Sequence, residues 1–152
     1  MKKIFLLCLI LGFTYTNSSA QVEGEPTPAS LSSEPQVTYA SLLSRLVVNL
    51  SKDAYTDKFL PFITKWNPDN STKAQALDVI KNLEFNLKTL HFKPEWKKNQ
   101  LKWREKISNT TEKTDIALLL KELEANMQPS AFEKTWSADR AKWLVDVDAY
   151  LK

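Results

Sequence analysis

Asn49, Asn86 and Asn126 occupy one position in three related stretches. Each stands three residues after a Leu and one before another apolar residue. A primary amide donates two hydrogen bonds and accepts others, and has no acid, base or nucleophile to offer. Its chemistry is the holding of carbonyls and amides. At the margin of a buried helical face, such an amide can tie off a carbonyl at the helix end or in the neighbouring turn. That is the favoured reading. The alternative is a ladder along a groove, gripping an extended peptide backbone.

A second set of polar residues is cationic. Lys93, Lys97, Lys98, Lys102 and Arg104 lie within residues 81–106, which carry a net charge of +5, whereas residues 112–148 carry −3. Solvated helix faces that attract the next repeat account for such a pattern. The functional alternative is a basic middle strip for an acidic partner.

Catalytic groups are sparse. His91 is the single histidine and stands beside Phe92 at an expected turn between helices. No partners for a triad or a histidine metal site can be placed around it. Asp146 and Asp148 are two apart, a spacing that does not face them together on a helix. No zinc-protease, calcium-loop or nucleophile-elbow motif occurs. Neither a metal nor a cofactor is expected, and the chain is not expected to be an enzyme.

These residues sit in a repeated frame. Tyr39, Leu42, Leu43, Leu46 and Leu50 fall at helical spacing. Adding 37 gives Ala76, Val79, Ile80, Leu83 and Leu87, and adding a further 40 gives Ile116, Leu119, Leu120, Leu123 and Met127. An aromatic stripe follows each set: Tyr55, Phe59, Phe62 and Trp66; Phe92, Trp96 and Trp103; Phe132, Trp136 and Trp143. Residues 72–107 and 112–147 align without a gap and share nine identities in 36, against about two expected by chance. The five Trp fall in two columns, and their spacing predicts core positions.

The pattern predicts an all-α fold. Three tandem helix-turn-helix units, about 37–70, 71–109 and 110–152, stack into a short α-solenoid or six-helix bundle. No helix pair buries its stripe alone, and three are about the minimum for such an array. Capping-box spacings at Thr72–Gln75, Asn109–Glu112 and Ser130–Glu133 predict helix starts. Pro94 and Pro129 suit a first turn, and Pro61 is expected to kink or break the second helix of unit one. Pairing an Asn row with a Trp row resembles armadillo-type solenoids in logic alone, because their repeat is usually three helices.

The remaining segments bear on location. Lys2 and Lys3, the apolar run Ile4–Phe13 and Ser18-Ser19-Ala20 read as a bacterial export signal over residues 1–20, cut before Gln21. Cys8, the only cysteine, lies inside the apolar run, so the mature chain has no thiol chemistry. Residues 21–36, with three Pro, one Gly and three Glu, read as a disordered acidic tether. From Val37 onward there is no glycine, which excludes the Gly-rich phosphate loops. The whole chain has 21 basic and 18 acidic side chains. The signal holds two of the lysines and no acid, leaving 19 against 18, a net of +1. That balance does not suggest nucleic acid. The expected protein is exported, periplasmic or extracellular, and binds a protein or peptide without catalysis. Its partner is not named by the sequence, and no membrane span remains after the signal. A carrier enclosing a small apolar ligand among its aromatics is the alternative, and an enzyme ranks third.

Overall fold

The computed structural model describes residues 36–110 and 112–152. The expected signal peptide at 1–20, and all of the expected tether except Gln36, lie outside the described residues.

Each unit opens on a capped helix. Thr38 Oγ1 accepts from the Ser41 amide, and Ser41 Oγ accepts from the Thr38 amide, both at 3.0 Å, starting α1 (Tyr39–Val48). Thr72 and Gln75 form the predicted box at the start of α3 (Lys73–Asn86), with the Thr72 amide 2.9 Å from Gln75 Oε1. The third box is shifted by three residues. Glu112 and Asp115 cap α5 (Lys113–Ala125), and Asn109 instead closes the preceding α4 (Trp96–Ser108). These boxes satisfy amide donors that the first helical turn leaves without a partner.

The ends of these helices are closed without glycine. No described residue has a positive φ, so the common left-handed cap is absent from the described residues. The repeated Asn takes its place. Nδ2 of Asn49, Asn86 and Asn126 donates to the carbonyls of Arg45, Asn82 and Glu122, at 2.8, 2.8 and 2.7 Å. The next residue, Leu50, Leu87 or Met127, then pairs in an isolated antiparallel bridge with an aromatic of another unit.

Those bridges close a ring. Thr56 N donates to Asn86 O at 3.0 Å, and Lys88 N to Ala54 O at 2.8 Å. At the equivalent places of the next junction, Lys93 N donates to Asn126 O at 2.8 Å and Gln128 N to His91 O at 2.6 Å. At the third junction, Glu133 N donates to Asn49 O and Ser51 N to Ala131 O, both at 2.9 Å. Unit one thus joins unit two, unit two joins unit three, and unit three returns to unit one. An open solenoid would leave its first and last units apart, so the six helices form a closed bundle with approximate three-fold symmetry.

Helix packing follows the same order. The first helices α1, α3 and α5 touch pairwise, and α4 lies against α3 and α5. The last helix, α6 (Trp136–Tyr150), lies against α5 and α1. The short α2 (Leu60–Lys65) packs on α3. Each second helix therefore covers the first helix of the following unit.

Three details differ from the expected helix, turn and helix. A 3-10 turn separates the two helices of each unit, at Asp57–Phe59, Thr89–His91 and Pro129–Ala131. Ser130 lies in the last of these turns and Thr135 stands before α6, so Ser130–Glu133 is not a box. Pro129 opens that 3-10 turn, and Pro94 precedes α4 by two residues. Pro61 neither kinks nor breaks α2. It occupies the first turn, where its missing N–H costs nothing, and α2 is short because Asn67-Pro68 follows closely.

Candidate functional site

The Asn column lies at the three junctions. Each Asn closes its own helix with Nδ2 and receives a neighbouring unit's amide on its backbone carbonyl. Asn86 is buried, and its Oδ1 also accepts from Thr56 Oγ1 at 2.9 Å. Asn49 and Asn126 are half-buried. The three therefore belong to three different junctions, and each has an amide donor committed to its own helix.

The aromatic columns fill the space between helices. Trp96, Trp103, Trp136 and Trp143 are buried, while Trp66 is half-buried. Phe92 and Phe132 are bridge residues ahead of the helices, not members of them, and stack on Trp96 and Trp136 with ring centres 5.3 Å apart. The next contact is edge-on, Trp96 to Trp103 at 5.4 Å and Trp136 to Trp143 at 5.7 Å. Trp103 Nε1 donates to Leu119 O at 3.2 Å and Trp143 Nε1 to Leu42 O at 2.9 Å. Trp103 and Trp143 thus pin a second helix to the first helix of the next unit, and their N–H groups are satisfied on burial.

Two buried carboxylates escaped the sequence reading. Glu84 and Glu124 are 3% and 4% exposed. Arg104 Nε donates to Glu84 Oε2 at 2.9 Å, and Gln100 donates to Oε1. Arg140 Nη2 donates to Glu124 Oε2 at 2.9 Å, and Trp136 Nε1 reaches Oε1 at 3.4 Å. The Glu124 hydrogen bond raises the Arg140 guanidinium above its ordinary pKa, against the opposing effect of burial. The signal was present in the sequence, since Glu84 and Glu124 are among the identities of the repeat. Both acids face dedicated cations, so the pairs hold α3 to α4 and α5 to α6.

His91 is buried, with Nδ1 3.1 Å from Ser130 Oγ. It bridges two of the 3-10 turns. Among the described residues, no group of three or more His, Cys, Asp or Glu side chains is placed to hold a metal ion.

The cationic candidates divide. Lys93 Nζ donates to Ala125 O at 2.6 Å, at the carbonyl end of α5. Arg104 is bound to Glu84. Lys97, Lys98 and Lys102 are exposed on α4 and make no ion pair among the described residues. Lys102 stands at the edge of a groove of about 850 Å³ between α4 and α5. Leu118 and Leu119 give it an apolar wall, and the Lys106–Glu122 ion pair at 2.6 Å closes across it. The symmetry-related groove of about 600 Å³ between α6 and α1 contains Ser41 where the first has Leu118. There the same pair has reversed polarity, Asp146 on α6 with Arg45 on α1.

Among the described residues, no helix is long and apolar enough to cross a membrane. No protein-family model matches the chain, and neither the curated proteins nor the solved structures give a significant match.

Proposed function

We propose that the chain is an exported binding protein that engages a protein or peptide on its helical-repeat surface and catalyses no reaction. Export rests on the pattern of residues 1–20, with a periplasmic or extracellular destination. The observation that carries the binding reading is the α4–α5 groove. Its volume of about 850 Å³ is within the range of ligand sites. An exposed Leu118 and an unpaired Lys102 line it. Glu105 and Asp115 share the lining, and the Lys106–Glu122 pair spans it.

The second reading, a carrier of a small apolar ligand, is favoured by a different cleft. Met127, Phe132 and Trp136 line a space of about 700 Å³ in unit three. Glu124 and Arg140 share that lining, which suits a purely apolar guest poorly.

Site-specific photo-crosslinking in the native cell separates the two. A benzophenone side chain at position 118 is expected to give adducts of protein or peptide mass, and one at position 138 on α6 is not. Absence of adducts at 118, or the same adducts at both positions, overturns the binding reading. The intact mass of the exported chain tests its location, with Gln21 expected at the N-terminus.

A further inference from the structure

The approximate three-fold symmetry supplies a control for what the fold requires of a surface position. Glu124, Ala125, Ser130, Trp136 and Ser137 line one cleft of unit three. The same places of unit two hold Glu84, Phe85, Leu90, Trp96 and Lys97. The buried members, a Glu and a Trp, are unchanged. The exposed members are not. Phe85 is 73% exposed where unit three has Ala125, and Leu90 is 69% exposed where it has Ser130. Beside them Leu101, 70% exposed, corresponds to Ala141, and Lys88 to Gln128. Leu101 adjoins Gln100, whose amide donates to Glu84, so this turn of α4 lies against the last turn of α3. Small residues suffice for the shared packing in unit three, so the fold does not explain the larger ones in unit two.

Charge changes along with shape. Residues 81–101 contain five lysines and two acids, whereas residues 121–141 contain three cations and four acids. Of the two acids in unit two, Glu84 is buried and held by Arg104 and Gln100, which leaves Glu95 exposed. Asp78 lies two turns farther up α3, hydrogen-bonded to Asn82. Across the junction, Asp53 and Asp57 of unit one are offset by Lys52 and Lys58. Lys88 and Lys97 are exposed and make no ion pair among the described residues.

We infer that this face of unit two seats on an anionic lipid surface. Phe85, Leu90 and Leu101 enter the interface, and Lys88 and Lys97 meet the headgroup phosphates. Protruding apolar side chains with lysines beside them divide themselves between the acyl boundary and the headgroups, and each lysine adds attraction to anionic lipid. A protein partner would need a matching pocket for each of the three side chains, whereas a bilayer accepts them without one. Among the described residues no helix can span a membrane, so the contact is peripheral. It is separate from the α4–α5 groove and does not rest on the protein-binding reading.

The test sediments the exported chain with sucrose-loaded phosphatidylglycerol vesicles, with phosphatidylcholine vesicles in parallel. Binding to phosphatidylglycerol is expected, weaker on phosphatidylcholine, and it should weaken as salt rises. The variant Phe85→Ala/Leu90→Ser/Leu101→Ala takes each new residue from the equivalent position of unit three, so it should fold. It should lose about tenfold or more in affinity for either vesicle. Lys88→Gln/Lys97→Ser, chosen in the same way, should lose about fivefold per lysine on phosphatidylglycerol and little on phosphatidylcholine. Val145→Ala removes an exposed apolar side chain from α6, and should change binding less than about twofold. A circular dichroism melt of each variant checks folding.

No sedimentation with phosphatidylglycerol overturns the proposal. Equal binding by the apolar triple variant and the parent, or an equal loss in Val145→Ala, overturns its assignment to this face. No vesicle binding, with protein adducts formed in the native cell by a benzophenone at position 85, overturns the lipid in favour of a protein partner. Crosslinks at position 118 test the protein-binding reading separately, so either can fail while the other stands.

Discussion

Units one and three fill equivalent positions with different side chains. In unit three, Glu124 on the first helix meets Arg140 on the second. The equivalent positions of unit one hold Val47, which is buried, and Ile63, which packs against the core. Unit three fills its two indole positions with Trp136 and Trp143, both buried. Unit one has Phe59 and a half-buried Trp66 that turns to Ser71 Oγ at 2.8 Å. The backbone bonds at the junctions are nevertheless the same in all three units. The lesson concerns hierarchy. The Asn-closed helix end and its two bridging bonds are common to all units, while the Glu–Arg positions of unit three are apolar in unit one.

The largest expected effect sharpens the difference between the indoles. Trp103→Ala or Trp143→Ala removes a fully buried ring and strands a carbonyl, and each should cost about 3–5 kcal/mol. Trp66→Ala should cost about 1–2 kcal/mol, since its ring is half-buried and its partner Ser71 can turn to water. Denaturant unfolding followed by helical circular dichroism measures both. Equal losses would mean that unit one is packed as tightly as its sisters, and the comparison would fail.

The next experiment converts one solution into the other. Arg140→Ile alone leaves Glu124 buried with only Trp136 Nε1, and should destabilise by about 3–5 kcal/mol. Adding Glu124→Val places at both positions the residue types that unit one carries there, and the double variant should return to within about 1–2 kcal/mol of the parent or exceed it. Additive losses in this cycle would show that unit three requires the charge itself.

The Asn column should give smaller effects. Asn49→Ala and Asn126→Ala each lose one bond to a helix-end carbonyl, worth about 0.5–1.5 kcal/mol. Asn86→Ala should sit at the upper end, because Thr56 Oγ1 loses its acceptor as well. Partner affinity should not change. Lost binding with an unchanged melting temperature in Asn86→Ala would restore the ladder reading.

The sequence carried the repeat because its core positions recur at fixed offsets, and because burial of Trp103 or Leu83 follows from helical period alone. It also carried the Thr72–Gln75 cap, a purely local contact. What it did not carry was nonlocal. Ring closure depends on Glu133 meeting Asn49 across most of the domain, and nothing in either residue type announces that bond. Glu84 and Glu124 were visible as identities, but a Glu on a helix is usually solvated. Their burial depends on Arg104 and Arg140 reaching back from another helix. The caps at Asn109 and Ser130 misled because polar residues close to one helix end serve the other end equally well.

The smallest expected effect concerns Tyr150, at the end of α6. Burial raises its phenol above the ordinary pKa of 10.0, and the nearby Tyr39 hydroxyl adds to the rise electrostatically, while a backbone hydrogen bond at Tyr39 partly opposes it. The folded state therefore favours the neutral phenol. Its contribution to stability is fully present below the unfolded pKa and is lost as pH rises through the higher folded value. Tyr39 itself is buried and donates its hydroxyl to Ser71 O at 2.8 Å, so this end of the bundle couples α1 to α6 near the start of α3. Tyrosinate absorbance should contain a component above the ordinary value of 10.0, and Tyr150→Phe should remove it. The same variant should flatten the fall of melting temperature with pH in the alkaline range and leave it unaltered at neutral pH. An unchanged alkaline slope would mean that the Tyr150 ring is solvated and that α6 frays before its last turn, leaving the third unit closed less firmly at this end than at its Asn junction.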